Sequence, residues 1–330
     1  MTALRPCVRV PTTAGERTRK LLAEQGLLDD TYQIERAGAN LHIPIRADQT
    51  MPEEFEVVHR EVPRRVTADR PADLLGYAPS YERLGDIVII DEDDAAAAQE
   101  ITGAIVASDL DASTVLNRAS PIEGEYRVRD WELLYGDSTE TTHREYGCSF
   151  TLDIAQVYFS PRLATERHRV VEQVESDEHV VDMFAGVGPF AVPVAARGAA
   201  VTAIDLNPAA IEYLRLNADQ NDVADRVSVI EGDAREVADD RLDRADRVIM
   251  NLPHTAEAFL ERAVAFAADR CTLHYYDIQS EEAPFEPGLE AIRTAAGDDY
   301  AITDVERQVV RSYSPKEQNV CLDVRLERVE

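Results

Sequence analysis

Short apolar runs alternate with longer amphipathic stretches through the second half of the chain. This pattern is typical of buried parallel strands joined by helices. We predict strands at 180–184, 200–204, 227–230, 247–250 and 271–276, and helices at 162–174, 190–197, 208–220, 256–268 and 288–296. The last two runs, 304–310 and 320–327, are too close together for a crossover helix, so we expect them to pair antiparallel.

The first 160 residues carry a less regular pattern, which predicts two smaller α+β domains. The predicted elements are a strand at 7–10, a helix from 13 to about 25, hairpin-like strands at 33–37 and 41–46, a strand within 81–90, a helix at 95–105, and strands at 115–117, 126–128, 132–135 and 148–152. Thr12 or Thr13 could cap the first helix. We predict four segments: a small domain at 1–60, a linker at 61–73, a mixed domain at 74–160 and an α/β domain at 161–330.

A glycine-rich turn follows the first strand of the α/β domain, in the order Asp182-Met183-Phe184-Ala185-Gly186-Val187-Gly188. Glycines let the backbone approach a ligand closely, and the amides that open the next helix are free to bind it. The motif predicts a cofactor over this loop. A dinucleotide fold would fit the same spacing, and so would a tight strand-to-helix turn without a ligand.

Polar side chains follow the next three strands. Asp205 comes 19 residues after Gly186, where a carboxylate can accept both ribose hydroxyls. Asn207, before Pro208, could cap the following helix and leave Asp205 free. Asp233 is placed to meet an adenine amino group, although a helix cap is nearly as good an interpretation. Asn251, in Asn251-Leu252-Pro253, could orient a planar ring, or it could be an ordinary strand-end Asn.

Charge changes the picture of the surface. The 330 residues include 63 acidic and 34 basic side chains, giving a net charge of −29, and only Lys20 and Lys316 are lysines. Such a surface suits a cytoplasm of very high salt, where screening is strong, so we expect a halophilic source. Local arginine clusters could still bind phosphates, and the net charge therefore does not exclude an RNA partner.

Several classes of protein are disfavoured by the sequence. No apolar run approaches the ~18 residues of a membrane span, and the first residues lack the apolar core of a signal peptide, so we expect a cytoplasmic protein. The four cysteines have no Cys-x-x-Cys spacing and the seven histidines no ligand spacing, so we expect no metal and no disulfide framework.

With these motifs, the chain resembles the archaeal and eukaryotic family of tRNA guanine-37 N1-methyltransferases over nearly its whole length. The motifs that carry the resemblance are Glu123-Gly124-Glu125-Tyr126-Arg127-Val128-Arg129, Thr142-His143-Arg144-Glu145-Tyr146-Gly147, Tyr158-Phe159-Ser160-Pro161-Arg162-Leu163-Ala164-Thr165-Glu166-Arg167, the glycine loop, Ile204-Asp205-Leu206-Asn207-Pro208 and Asn251-Leu252-Pro253. The resemblance implies a Rossmann-like methyltransferase domain with a terminal antiparallel strand pair, preceded by two smaller α+β domains.

The resemblance also implies roles for individual residues. Glu166 would take the proton from N1 of guanine, Arg127 would hold O6, and Asn251 would complete the catalytic set. S-adenosyl-L-methionine would be bound by Arg167, Phe184, Ala185, Gly186, Gly188, Asp205, Leu206, Asn207, Asp233, Ala234, Asn251 and Pro253. The partner would be tRNA, with residues 1–60 checking its shape, and we expect a monomer. Without the resemblance, Glu166 is more simply an i,i+3 helix partner of Arg169.

Three alternatives stay open from the sequence alone. The related wyosine-pathway enzyme transfers the aminocarboxypropyl group of the same cofactor to tRNA. A non-catalytic RNA-binding protein could use the same fold without the cofactor. A nicotinamide dehydrogenase fits the glycine loop, but Asn251-Leu252-Pro253 argues against it.

Overall fold

The computed structural model describes residues 2–47, 51–52, 55–65, 69–238 and 241–329. The chain divides into two compact units, Met1–Arg70 and Pro71–Glu330. The predicted boundary at residue 160 stays a prediction, and one hydrophobic core runs across that position from Leu84 to Cys321.

The first unit is a four-stranded antiparallel sheet with one helix. Its strands have the order β2-β3-β1-β4. The elements are β1 (Thr2–Pro11), α1 (Gly15–Glu24), β2 (Glu35–Ala37), β3 (Asn40–Pro44) and β4 (Val57–Pro63). The core holds Val8, Leu22 and Ile43 among others. Neither Thr12 nor Thr13 caps α1, because both lie in a short 3-10 turn that precedes it.

The predicted linker 61–73 overlaps both units. Its first three residues close β4, where Val62 pairs with Ala3 and is fully buried. Its last three residues begin helix α2 (Pro71–Leu75), and positions 66–68 lie outside the described residues. Regular elements therefore occupy both ends of the predicted linker, and the polar composition hid the single buried valine of a strand whose other residues are at least partly exposed.

The front part of the second unit is a four-stranded sheet with the helices α2 and α3 and a separate hairpin. The sheet has the order β5-β6-β7-β8, and β6 and β7 run parallel. The elements are α2, β5 (Glu82–Leu84), β6 (Ile87–Ile90), α3 (Ala95–Ala107), β7 (Thr114–Arg118), β8 (Trp131–Tyr135), β9 (Glu140–Glu145) and β10 (Cys148–Asp153). The predicted strand at 126–128 is wrong: residues 124–127 form a turn closed by a bridge between Glu123 and Val128.

The hairpin of β9 and β10 is held by two side-chain amides, those of Asn217 and Asn221, near the C-terminal end of helix α6 (Pro208–Gln220). Asn217 accepts from the Thr151 amide at 2.8 Å and donates to its carbonyl at 3.1 Å, and Asn221 bonds the Ser149 backbone in the same way. These two side chains satisfy the outer edge of β10 as a neighbouring strand would.

The main sheet has seven strands in the order β13-β12-β11-β14-β15-β17-β16. The elements are α4 (Ala164–Val171), β11 (His179–Asp182), α5 (Ala191–Ala196), β12 (Ala200–Asp205), α6 (Pro208–Gln220), β13 (Val227–Glu231), β14 (Ala245–Met250), α7 (Leu260–Phe266), β15 (Ala267–Ser280), α8 (Glu286–Ala296), β16 (Tyr300–Ser314) and β17 (Glu317–Arg328). The predicted Rossmann-like sheet and its antiparallel closing pair are confirmed.

Candidate functional site

The glycine loop turns sharply between β11 and α5. The loop is tied to both neighbouring strands, because the Met183 amide donates to Ile249 O at 3.1 Å and the Ala185 amide to Ile204 O at 2.8 Å. Gly188 has φ +94°, and a Cβ there would stand 2.6 Å from Leu214. Gly186 has φ +52°, and no heavy atom of the described residues lies within 4 Å of its would-be Cβ. Gly188 is therefore favoured by its positive φ and by tight packing against Leu214, whereas Gly186 faces room for a ligand.

Asp205 holds this loop against the end of β12. Its carboxylate accepts the Gly186 amide at 2.6 Å and the Asn207 amide at 2.9 Å. Asn207 itself caps α6 by accepting the Ala209 amide at 3.0 Å, so Asp205 is not the helix cap. Burial raises the pKa of Asp205, which its amide donors partly offset. Each carboxylate oxygen has lone pairs left for a further donor, and Asp205 stays the predicted ribose ligand.

Asp182, at the end of β11, is a candidate site residue that the sequence reasoning missed. It is 1% exposed, and neither carboxylate oxygen has a hydrogen-bond partner among the described residues. Burial raises its pKa to about 7, and the nearby Asp205 adds to the rise. The Phe184 amide lowers this pKa without reaching hydrogen-bonding geometry. A buried carboxylate without a partner, beside a ligand loop, calls for a cationic ligand group.

The predicted adenine side of the site is lined by rings. Phe184 packs edge-to-face on Phe259 at 4.9 Å, and Arg235 lies over the same Phe259 ring at 4.5 Å. Asp233 caps the 3-10 turn after β13 by accepting the Arg235 amide at 2.8 Å, and it pairs with the Arg235 guanidinium. Arg235 lowers the pKa of Asp233. The capping interpretation of Asp233 is therefore observed, and a contact with adenine stays a prediction. Ala234, the residue after Asp233, is buried.

Arg127 contacts the turn that follows β14, and this turn contains the predicted site residue Asn251. Its Nη1 donates to Pro253 O at 3.0 Å, and its guanidinium lies 5.8 Å from the Tyr158 ring centre. Arg127 has φ +55° and His254 has φ +83°, conformations that cost energy for side chains other than glycine. Strained conformations on both sides of this contact indicate that the surrounding structure holds Arg127 and the turn in place. Asn251 is half-buried at the same turn.

Glu166 is buried at 7% exposure on α4. Arg169 binds both of its oxygens, at 2.8 and 2.7 Å, and the Tyr276 hydroxyl donates to Oε1 at 2.8 Å. The i,i+3 pair expected from the sequence is present, but it is buried instead of exposed. Tyr276 also packs near Phe190 of the glycine loop, with ring centres 6.1 Å apart, which brings Glu166 towards the cofactor site.

Arg167, the next residue, has a structural partner. It pairs with the buried Glu145 at 2.5 and 3.0 Å and donates to Ser160 O at 3.0 Å. A cofactor contact by Arg167 stays a prediction.

A cleft of about 110 Å³ lies beside Arg127 and collects arginines in an otherwise acidic protein. Its wall includes Arg118, Arg127, Arg129, Arg162 and Arg311 together with Tyr158 and Trp131. Burial lowers the pKa of Arg162, and Arg311 lowers it further; burial and then Arg118 act in the same way on Arg129. The Arg311 Nε is buried without a partner among the described residues. Glu82 also lines the cleft and pairs with Arg118 and Arg162, so five guanidinium groups face one carboxylate. This excess of positive charge favours an anionic ligand.

Comparison with known proteins identifies the family. Residues 141–303 match the model of the TRM5/TYW2 methyltransferase domain, residues 7–51 the tRNA methyltransferase 5 N-terminal domain and residues 64–139 the TYW2 N-terminal domain. The tRNA (guanine(37)-N(1))-methyltransferase Trm5b of Pyrococcus abyssi is 41% identical, covering 97% of this chain and 98% of its own. This chain belongs to the TRM5/TYW2 methyltransferase family.

Two solved members of the TRM5/TYW2 family share the fold. The structure described as a complex of aTrm5 and tRNALeu is 33% identical with a TM-score of 0.73, and covers 97% of this chain and 99% of its own. TYW2 of Methanocaldococcus jannaschii in complex with AdoMet is 32% identical with a TM-score of 0.61, and covers 76% of this chain and 100% of its own. In the described part of the present chain, no helix is long and apolar enough to cross a membrane.

Proposed function

We propose that this protein transfers the methyl group of S-adenosyl-L-methionine to N1 of guanine at position 37 of tRNA. The observation that carries the proposal is the bond from Arg127 to Pro253 O, which joins the arginine cleft to the turn that holds Asn251. The similarity to the P. abyssi methyltransferase over nearly the whole chain supports the same reaction. A monomer acting in the cytoplasm is part of the proposal.

The residues at the loop fit the cofactor. S-adenosyl-L-methionine supplies, when bound, an electrophilic methyl group on a positively charged sulfur, beside a cationic amino group. Asp182, which has no hydrogen-bond partner among the described residues, would accept hydrogen bonds from the amino group, and Asp205 would accept those of the ribose hydroxyls. Phe184 would pack on the adenine, with Ala234 and Asp233 at its edge. The open space above Gly186 leaves the backbone accessible to the ligand.

We assign the role of general base to Glu166. N1 of guanine carries a proton and attacks poorly until that proton leaves, so a positioned carboxylate would accept it as the methyl group transfers. Arg127 would bind O6 and stabilise the negative charge that develops there. Glu166 Oε1 already accepts two hydrogen bonds, whereas Oε2 accepts one and keeps a second lone pair for the N1 proton.

The alternative, aminocarboxypropyl transfer, uses the same fold and cofactor. The solved TYW2 relative corresponds to 76% of this chain, whereas the Trm5b relative corresponds to 97%. Residues 7–51 match the N-terminal domain of tRNA methyltransferase 5, and we assign residues 1–60 to recognition of tRNA shape. Together these matches favour methyl transfer.

The test uses unmodified tRNA transcripts that carry either G or A at position 37. With purified protein and S-adenosyl-L-methionine, digestion and nucleoside mass spectrometry should find N1-methylguanosine in the G transcript alone. Product from both transcripts, or methylation at another guanine, would overturn the assignment of position 37.

A further inference from the structure

A row of buried and partly buried ionic side chains extends from Glu166 on α4 across three strands of the main sheet. We call this row the buried ionic chain, and its members in order are Glu166, Arg169, Asp323, His274, Arg247 and Glu178. Arg169 joins Glu166 to Asp323, which it binds at 2.5 and 3.2 Å. Asp323 contacts His274 Nδ1 at 2.7 Å, His274 Nε2 contacts Arg247 at 2.6 Å, and Arg247 binds Glu178 at 2.8 and 2.9 Å.

The contacts fix the protonation of His274. The Arg247 guanidinium can only donate, so His274 Nε2 must accept, and the imidazole is neutral with its proton on Nδ1. That proton is donated to Asp323. Complete burial lowers the pKa of His274, in the same direction as this assignment. The histidine therefore adds no charge to the row.

Counting charges along the buried ionic chain leaves one negative charge in excess. Three carboxylates face two guanidinium groups and one neutral imidazole, so a single proton taken up at Glu166 makes the chain neutral. Cys321 adds no charge, because burial and Asp323 raise the pKa of its thiol. The groups that face Glu166 are Arg169 on its own helix and Tyr276 and Cys321 on the neighbouring strands.

His274, Cys321 and Asp323 also bring three metal-ligand atoms within 4.8 Å of one another. Arg169 and Arg247 already bond to the Asp323 and His274 atoms of this group. Two guanidinium cations at those atoms disfavour a metal cation, so the group is better explained as a hydrogen-bonded network.

We propose that Asp323, held by His274, is a positioning residue for Glu166. Both carboxylates bind Arg169, and this sharing keeps Glu166 able to accept a proton. This inference rests on the proposed function, in which Glu166 takes the N1 proton. Arg169 alone would place an uncompensated positive charge against both Glu166 oxygens, and that charge would repel the arriving proton. The negative charge of Asp323 on the far side of Arg169 offsets that effect, and the low exposure of both carboxylates limits solvent screening.

The test measures single-turnover methyl transfer against pH in two variants with opposite expected shifts. Asp323→Asn removes a negative charge, so the rising limb of the rate should move to lower pH by about one unit and the plateau should fall roughly 3- to 10-fold. Arg169→Gln removes a positive charge, so the limb should move to higher pH. Cys321→Ser, a neutral change against the same Asp323, is the matched control and should leave the limb in place.

Opposite shifts in the two charge variants would support the inference. Slower rates with the limb unmoved in both would overturn it, since a merely structural role changes the rate without moving the limb. If Asp323→Asn does not fold, Asp323→Ser, which removes the same charge, is measured instead, because the Arg169→Gln limb would move whether or not Asp323 shares Arg169. Glu166→Gln separates the two proposals: if it matches wild type at every pH, Glu166 is not the base, whereas loss of its limb with unmoved charge variants contradicts only the role of Asp323.

Discussion

Replacing Asp182 with Asn should stabilise the cofactor-free protein at neutral pH while weakening the binding of S-adenosyl-L-methionine. A rise in the pKa of Asp182 from 3.8 to about 7 means that holding this carboxylate ionised costs the folded state. Each pKa unit is worth about 1.4 kcal/mol, so the cost approaches about 4 kcal/mol at and above pH 7.

The sign follows from proton binding. Between pH 3.8 and about 7 the folded protein keeps the Asp182 proton that the unfolded chain releases, so stability falls as pH rises through this window. Below the window both states are protonated and the cost disappears. Asn cannot ionise, although its buried amide leaves donors unsatisfied at a cost of about 1–3 kcal/mol. The net gain in the variant should be about 1–3 kcal/mol at pH 8 and should vanish or reverse near pH 4.

The assay is thermal unfolding of wild type and Asp182→Asn at pH 4 and pH 8, in high salt and without cofactor. A gain of about 1–3 kcal/mol should raise the unfolding midpoint of the variant by several degrees at pH 8. In a structural unit of this length, the midpoint moves by about 2–4 °C per kcal/mol of stability. Calorimetry with the cofactor should show affinity lower by about 1.5–3 kcal/mol, the worth of a charged hydrogen bond. In the unfolding assay Asp205→Asn is the contrasting variant and should not gain stability at pH 8, because its side-chain NH2 would face a backbone amide that now donates to the Asp205 carboxylate. A variant no more stable than wild type at pH 8 would refute the reasoning.

Three further predictions concern the same unit and its neighbour. Asp205→Ala should weaken cofactor binding by about 1–3 kcal/mol, and unchanged affinity by calorimetry in roughly 2 M KCl would remove Asp205 from the site. Glu166→Gln should leave cofactor and tRNA affinity nearly intact while slowing single-turnover transfer by roughly 10²–10⁴; wild-type rates across pH would exclude the base role. A fragment of residues 71–330 should lose substrate capture more than saturated single-turnover chemistry, and wild-type capture of full-length tRNA would contradict recognition by the first unit.

The main sheet could be predicted because its strands are short apolar runs between clear helix signals. Helix α6 begins and ends where expected, since Asn207 and Pro208 mark its start. Strand β9 is not predicted because all six of its residues are polar, and in the described structure its strand partner is β10 alone. Tyrosine and valine favour strands, so the sequence predicts a strand where the turn with Arg127 lies, whereas the positive φ of Arg127 depends on contacts formed only in the fold.

The site, like the fold, contains residues that the sequence predicts and residues that it does not. The glycine loop, Asp205 and Asn207 are readable from local spacing, because one strand end and one helix start place them. The importance of Asp182 is not readable, because an acidic residue before a glycine loop becomes unusual only once the fold leaves it buried without a partner. The i,i+3 spacing predicts the pair of Glu166 and Arg169, but the burial of that pair comes from Tyr276 and Asp323 on distant strands.

The most direct measurement of the central claim follows which carbon of the cofactor reaches tRNA. Purified protein would be incubated with a G37 transcript and S-adenosyl-L-methionine labelled either in the methyl group or in the carboxyl carbon. Methyl transfer to guanine 37 predicts that the methyl label enters tRNA as N1-methylguanosine and that the carboxyl label stays in solution. Carboxyl label recovered in the tRNA would show aminocarboxypropyl transfer instead, and label from neither position, with cofactor and tRNA both bound, would show a non-catalytic RNA-binding protein.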